Sequence, residues 1–388
     1  VRRVPAFLQN LALSAATVVA VAGLVEGAAR AYASRLQGDP GTSRDPLLQF
    51  DPQLGWAKPR GARGVIERPE YKVELEINHQ GLRGPERGHA KPPGVKRVLL
   101  LGDSFVEGYT VDEEATVRAS LERMLQSEGA VEVLNGGTHG YSTDQQLLFF
   151  RAEGRRYAPD EVVLLFYYND LHGNVSRDGK PWFDVEDGAL VLRNFPLKAP
   201  RRDARARVRT YTLRPFRGSM ALRLISNRAV AGNPELHRLL ARAGLAEGEE
   251  EADDPPQLWP FGPAHVREVA DMWDRTALIL RALDAEVKAA GARLTVFYVP
   301  ARFEVDDDAW DLTRRRNGWG PRWKRERVAE RLQSVCAEVA LRCLDPRAEF
   351  RAVEESGEDA YFPQDGHWAP AGHRVAAQVL RGVLAPDL

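Results

Sequence analysis

Cysteine is nearly absent from this chain: two residues, Cys336 and Cys343, stand among 388. Their spacing matches no complete zinc site, which takes three or four ligands, and a single disulfide between them stays open. Excess charge of either sign is also lacking. With 54 Lys and Arg against 55 Asp and Glu, the formal net charge is -1. A nucleic-acid partner would favour a concentrated basic surface, and none is present. The arginines at 201, 202, 205 and 207, and at 314, 315 and 316, are short runs that read as solvated surface. The histidines form no compact ligand set, so neither a metal nor a cofactor is expected. Internal repeats are absent. A hydrophobic fraction of 44% with 28% charged residues excludes disorder as the dominant state.

Long apolar runs are confined to the N-terminus. Arg2 and Arg3 precede a run from Leu11 to Val25, which Phe7 and Leu8 extend towards the ~20 residues that cross a bilayer. The leading arginines favour a cytoplasmic start. The expectation is a transmembrane signal-anchor over 7–29, with the remainder on the extracytoplasmic side, periplasmic or at the cell surface. A cleaved signal peptide ending at Ala31-Tyr32-Ala33 is the alternative. Residues 30–95 read as a linker with a small β extension. Tyr71, Val73, Leu75 and Ile77 alternate there with Lys72, Glu74 and Glu76.

From residue 96 the rhythm becomes strand, helix, strand. Short continuous apolar runs fall at 97–101, 131–134, 161–167, 294–299 and 341–344, as in strands covered on both faces. Helical patterns lie at 114–128, 147–156, 263–290, from Pro321, and at 370–385. This predicts a three-layer α/β/α sandwich on a mostly parallel five-stranded sheet, spanning 96–388. Residues 171–260 interrupt it as a long insertion without a clear sheet signal.

Chemistry-bearing residues fall where these strands end. Gly102-Asp103-Ser104 follows the first strand, at the carboxyl edge where α/β sheets gather ligands. Gly140 follows the second strand, and a glycine lets a backbone N–H approach a substrate oxygen. Asn169 follows the third and carries a side-chain amide. Asp365-Gly366-His367 lies near the C-terminus, where a histidine can move a proton and a carboxylate can hold its tautomer. His139 and His172 lie close to these segments. Asp103 and Asp170 read as loop-stabilising, and Trp368 and His373 as structural.

Together these blocks resemble the SGNH/GDSL hydrolase superfamily, in particular its membrane-anchored esterase and O-acyltransferase members. Gly102-Asp103-Ser104-Phe105 is similar to the nucleophile block, and Gly140 to the glycine block. Asn169-Asp170 is similar to the Asn block, and Asp365 with His367 to the terminal block. The resemblance implies Ser104 as nucleophile, His367 as base and acid, and Asp365 as its orienter. It also implies an oxyanion hole from the Ser104 and Gly140 N–H groups and the Asn169 amide. Two departures stand out. Tyr168 replaces a glycine common in the family, and one residue rather than two separates Asp365 from His367. The expected function is hydrolysis of an envelope or carbohydrate ester through an acyl-serine. The alternatives are O-acyl transfer to a cell-envelope glycan, or a non-enzymatic glycan-binding protein. The expected partners are an ester or acylated-glycan substrate, the membrane through the N-terminal helix, and envelope proteins.

Overall fold

The computed structural model describes Thr17 and residues 21–27, 47–127, 129–199 and 255–387. Residues 46–199 and 254–388 form one compact unit, which carries everything below. Of the other unit, residues 1–45 with 200–253, only Thr17 and residues 21–27 are described.

The expected membrane span over 7–29 is corrected by this structure: among the described residues no helix is long and apolar enough to cross a membrane. The described stretch, residues 21–27, is helical and contains Glu26. The rest of the expected span lies outside the described residues. The membrane partner, the anchor in the fold class and the extracytoplasmic placement therefore lose their basis.

The described unit opens with two antiparallel pairs. They are β1 (Gln49–Asp51) with β2 (Gly55–Ala57), and β3 (Arg63–Glu67) with β4 (Lys72–Glu76). The alternation in β4 buries Val73 and Leu75, which join Leu47, Tyr71 and Ile77 in a small core of their own.

The central layer is built from β5 (Lys96–Leu101), β6 (Val131–Asn135), β7 (Glu161–Tyr167), β10 (Arg293–Val299) and β11 (Arg342–Leu344). Its order is β11-β10-β7-β5-β6, and every neighbouring pair is parallel. The chain reverses its direction of travel across the sheet at β5, so a crevice forms between the carboxyl ends of β5 and β7. Both faces are covered, which explains the near-continuous apolar runs. Leu99, Leu101, Leu164, Phe166, Val296 and Tyr298 face one core, while Val98, Leu100, Val163, Leu165, Phe297 and Val299 face the other.

Helices α1 (Ser104–Glu107) and α2 (Val117–Leu125) follow β5, and α3 (Thr143–Ala152) follows β6. Helix α4 (Asp170–Val175) follows β7, and α5 (Val266–Ala289) precedes β10. Helices α6 (Arg302–Val305), α7 (Asp307–Asn317) and α8 (Arg327–Glu338) lead to β11, then α9 (Arg347–Glu355) and α10 (Pro370–Leu384) close the chain. The helix expected from Pro321 starts only at Arg327, because residues 321–326 turn instead. The stretch expected to lack strands holds a hairpin, β8 (Trp182–Glu186) with β9 (Ala189–Arg193). Its turn residues Asp187 and Gly188 both have positive φ, 51° and 76°. That is what an Asp-Gly two-residue turn requires. Cys336 and Cys343 form a disulfide with their Cα atoms 6.1 Å apart.

The start of β5 is held by a buried cation. Arg97 is 1% exposed, and its guanidinium donates to the carbonyls of Gly88, His89, Ala90 and Tyr157. Its Nε donates to Glu132 at 2.8 Å. Arg97→Leu would leave four carbonyls without this donor and the partly buried Glu132 with only the longer contact to Arg87, at 3.6 Å. Urea unfolding should show a loss of about 3–5 kcal/mol. A loss below about 1 kcal/mol, the range of an exposed pair, would contradict this account.

Candidate active site

Ser104 begins α1 directly after β5, and the Asp103 carboxylate caps that turn by accepting from Phe105 N–H at 2.9 Å. Burial pushes Asp103 up from the usual carboxylate range, against this hydrogen bond and the nearby His367 and His139. The helix packs tightly on the loop after β6. A Cβ at Gly137 would lie 2.5 Å from Val106 Cβ and 2.6 Å from Glu107 N. Asn135 ties the two segments, its Nδ2 donating to Val106 O at 2.8 Å and its Oδ1 accepting from Gly137 N–H. Glu107 accepts from His139 N–H at 2.6 Å, and buried Lys58 donates to Gly137 O.

The C-terminal segment comes to the same place. Ser104 Oγ lies 2.8 Å from His367 Nε2. On the far side of the ring, Asp365 Oδ1 lies 2.6 Å from Nδ1. Gly366 reconciles this contact with the short Asp-x-His spacing. Its φ of 81° bends the backbone, so two residues one apart can meet through their side chains. Phe105 packs on the imidazole with ring centroids 4.7 Å apart, and Trp368 is fully buried behind Phe105.

Asp365 has further partners from the N-terminal strands. Tyr71 Oη donates to Asp365 Oδ2 at 2.8 Å, and Glu70 accepts from the Asp365 N–H at 2.8 Å. Tyr109 Oη lies 3.2 Å from His367 Nδ1. Burial raises both tyrosines well above their ordinary value, so they remain hydrogen-bond donors. Burial also works against the charge on Asp365, but the His367 contact and the Tyr71 hydrogen bond outweigh it and hold its pKa at about 2. These tyrosines and Glu70 escaped the sequence reading. Tyr71 was legible only as the inward end of an alternating strand, and its partner lies 294 residues away.

Gly140 and Asn169 line one cavity of about 290 Å³, with Trp56, Tyr168, His172 and Gln257 among its other walls. No direct hydrogen bond joins either residue to Ser104 among the described contacts. Gly140 has a φ of 74°. Asn169 opens α4, and its Oδ1 is buried without a protein partner. Tyr168 forms a cavity wall and packs edge-on to Phe261 at 5.3 Å. His172 faces the same cavity, its pKa lowered by burial and by Lys180. Lys180 is itself buried and paired with Asp144 at 2.6 Å.

Asp170 accepts from Thr143 Oγ1 at 3.0 Å and is pushed well above the carboxylate range by burial and by Asp103. His139 uses its backbone for the loop and sets its ring against Tyr109 at 5.3 Å. His373 is buried in α10, where Nδ1 accepts from Val117 N–H, and burial lowers its pKa to about 3.

A family model described as an SGNH hydrolase-like domain, acetyltransferase AlgX, matches residues 263–387. Over those residues the chain is similar to that family. Similar solved structures include a lipase/acylhydrolase from Enterococcus faecalis, at 16% identity and a TM-score of 0.39 over 76% of this chain and 97% of that one. An acetylxylan esterase from Geobacillus stearothermophilus is 15% identical, with a TM-score of 0.38 over 74% of this chain and 93% of that one. No curated protein matches the sequence.

The depressed pKa of Asp365 has a stability consequence with a definite sign. The carboxylate is easier to ionise folded than unfolded, so its contribution is fully present above the ordinary value of 3.8 and fades as pH falls through about 2. The difference in unfolding free energy between the parent and Asp365→Asn should be flat above that window and shrink within it. A difference that stays constant down to acid pH would contradict the assignment.

Proposed function

We propose that this enzyme cleaves carboxylic esters on carbohydrate through an acyl-serine intermediate. The reading rests on one observation: the 2.8 Å contact between Ser104 Oγ and His367 Nε2, with Asp365 on the opposite ring nitrogen at 2.6 Å. A hydroxyl is a poor nucleophile until a base takes its proton. In this reading His367 takes that proton as Ser104 Oγ attacks the ester carbonyl. Asp365 keeps the tautomer with Nδ1 protonated and steadies the imidazolium that forms.

The N–H groups of Ser104 and Gly140 and the Asn169 amide meet the charge that develops on the carbonyl oxygen. Such donors count most where water is excluded and the donors are already aimed. Collapse of the tetrahedral intermediate breaks the C–O bond, and His367 returns its proton to the departing alcohol. Water then attacks the acyl-serine with His367 again as base, which releases the acid and restores Ser104. The walls of the cleft favour a sugar as the alcohol. Trp56 offers an apolar ring, while Gln257 and His172 offer groups for hydroxyls.

A second reading, O-acyl transfer, is supported by the description of the matching family model, which names an acetyltransferase. It shares the first half-reaction and replaces water by a glycan hydroxyl. Labelled acetyl ester supplied with and without a glycan acceptor separates the two. Label released only as acetate supports hydrolysis, and label retained on the glycan supports transfer.

Ser104→Ala should abolish turnover of acetylated oligosaccharides and covalent labelling by a fluorophosphonate. Undiminished turnover would end the proposal. Asn169→Ala should lower kcat by a factor on the order of 10²–10³, with a much smaller change in KM. An effect confined to KM would remove Asn169 from the oxyanion role.

A further inference from the structure

A second, larger cavity lies after β10, at the carboxyl edge of the sheet. Its volume is about 510 Å³, and Trp310 and Trp323 are among its walls, with Asp311, Arg314, Lys324 and Arg325 beside them. Arg315 and Arg316 are exposed. Arg314 instead takes part in this cavity, and its Nε is buried without a hydrogen-bond partner.

The indoles are held in place from behind. Trp323 stacks on buried Trp319, with centroids 4.2 Å apart and planes 4° from parallel, and Trp319 packs on Trp310 at 5.7 Å. Gly262 allows this arrangement, because a Cβ there would come within 2.7 Å of the Trp323 ring. The polar lining carries no net sign. Arg325 is paired with Asp307 at 2.5 Å and with Glu326 at 3.2 Å, and Arg314 lies 3.8 Å from Asp311.

Fixed aromatic rings beside both donors and acceptors suit a ligand that is apolar on one face and hydroxylated at its edge. A pyranose ring meets that description: its C–H face lies on the aromatic ring, and its hydroxyls both donate and accept. A strongly anionic ligand would find no net positive charge, because Asp307, Asp311 and Glu326 offset Arg314, Lys324 and Arg325. A purely apolar one would leave Arg314 Nε unmet. The cavity is also linked to the cleft described above. Tyr168, a wall of that cleft, packs on Phe303 at 5.8 Å, and Phe303 packs on Trp310 at 6.1 Å. On the near side, Arg302 of α6 donates to Pro363 O at 2.9 Å, which anchors α6 to the segment carrying Asp365 and His367.

We propose that the Trp310–Trp323 cavity is a remote subsite for an uncharged pyranose ring of the same carbohydrate chain whose ester meets Ser104. The subsite deepens the carbohydrate-ester reading and rests on it, but its test needs no turnover. Full-length Ser104→Ala protein is titrated with neutral xylo- and cello-oligosaccharides and, separately, with oligogalacturonate, by tryptophan fluorescence and calorimetry. Saturable binding of a neutral oligosaccharide is expected, weakened about tenfold by Trp310→Ala and less by Arg314→Met. Unfolding midpoints of both variants accompany the titrations. Arg314→Met keeps the aromatic rings and so tests the site even if Trp310→Ala fails to fold. Absence of neutral-oligosaccharide binding, binding of oligogalacturonate alone, or full affinity in both variants would each overturn the subsite. Binding that survives when Ser104 proves chemically inert would leave the subsite standing and remove only the esterase reading.

Discussion

Helix α1 can stand where it does only because residue 137 has no side chain. A Cβ there would fall 2.5 Å from Val106 Cβ and 2.6 Å from Glu107 N, and so would drive the helix off the loop that follows β6. This one close approach fixes the spacing between the segment carrying Ser104 and the segment leading to Gly140. The surrounding polar contacts keep the loop from relaxing away. Asn135 bridges the two backbones, Glu107 takes the His139 N–H, and Lys58 holds the Gly137 carbonyl. A site that must aim donors at a reacting oxygen needs such rigidity, because small displacements weaken preorganised donors steeply.

Electrostatics then sort three acidic residues that the sequence places side by side with the chemistry. Asp103 and Asp170 are buried, and each is pushed towards its neutral form. Asp365 keeps its charge because a histidine ring and a phenol reach it. The same side-chain type thus serves as a helix cap, a loop hydrogen-bond acceptor and a permanent anion, according to what surrounds it. Only the third arrangement can steady an imidazolium.

Much of this was legible before any coordinates. The five strands of the main sheet announced themselves as short apolar runs, because a strand covered on both faces has no solvated side to encode. Ser104, Gly140 and Asn169 drew notice for a related reason: each lies within a few residues of a strand's end, and parallel strands deliver their exits to one edge. Contacts formed by distant side chains left no local trace. Nothing near Tyr71 points to Asp365, and nothing near Lys58 points to the loop at Gly137. The Asp187-Gly188 turn was written in the sequence and passed over, since the flanking strands are short and Pro- and Arg-rich stretches surround them. At the N-terminus an apolar run reads as a span, whereas among the described residues no helix is long and apolar enough to cross a membrane.

The β3–β4 hairpin belongs, by sequence, to an extension ahead of the α/β domain. In space it is a neighbour of the reacting groups. Glu70 and Tyr71 border β4, and both bind Asp365, one through its backbone and one through its carboxylate. A fragment trimmed to begin at β5 would keep Ser104, His367 and the whole sheet. Its aspartate would be left half solvated and loosely held, and the ammonium of Lys58 would be gone from beneath the glycine loop. The boundary that looks natural on paper therefore runs through the candidate site.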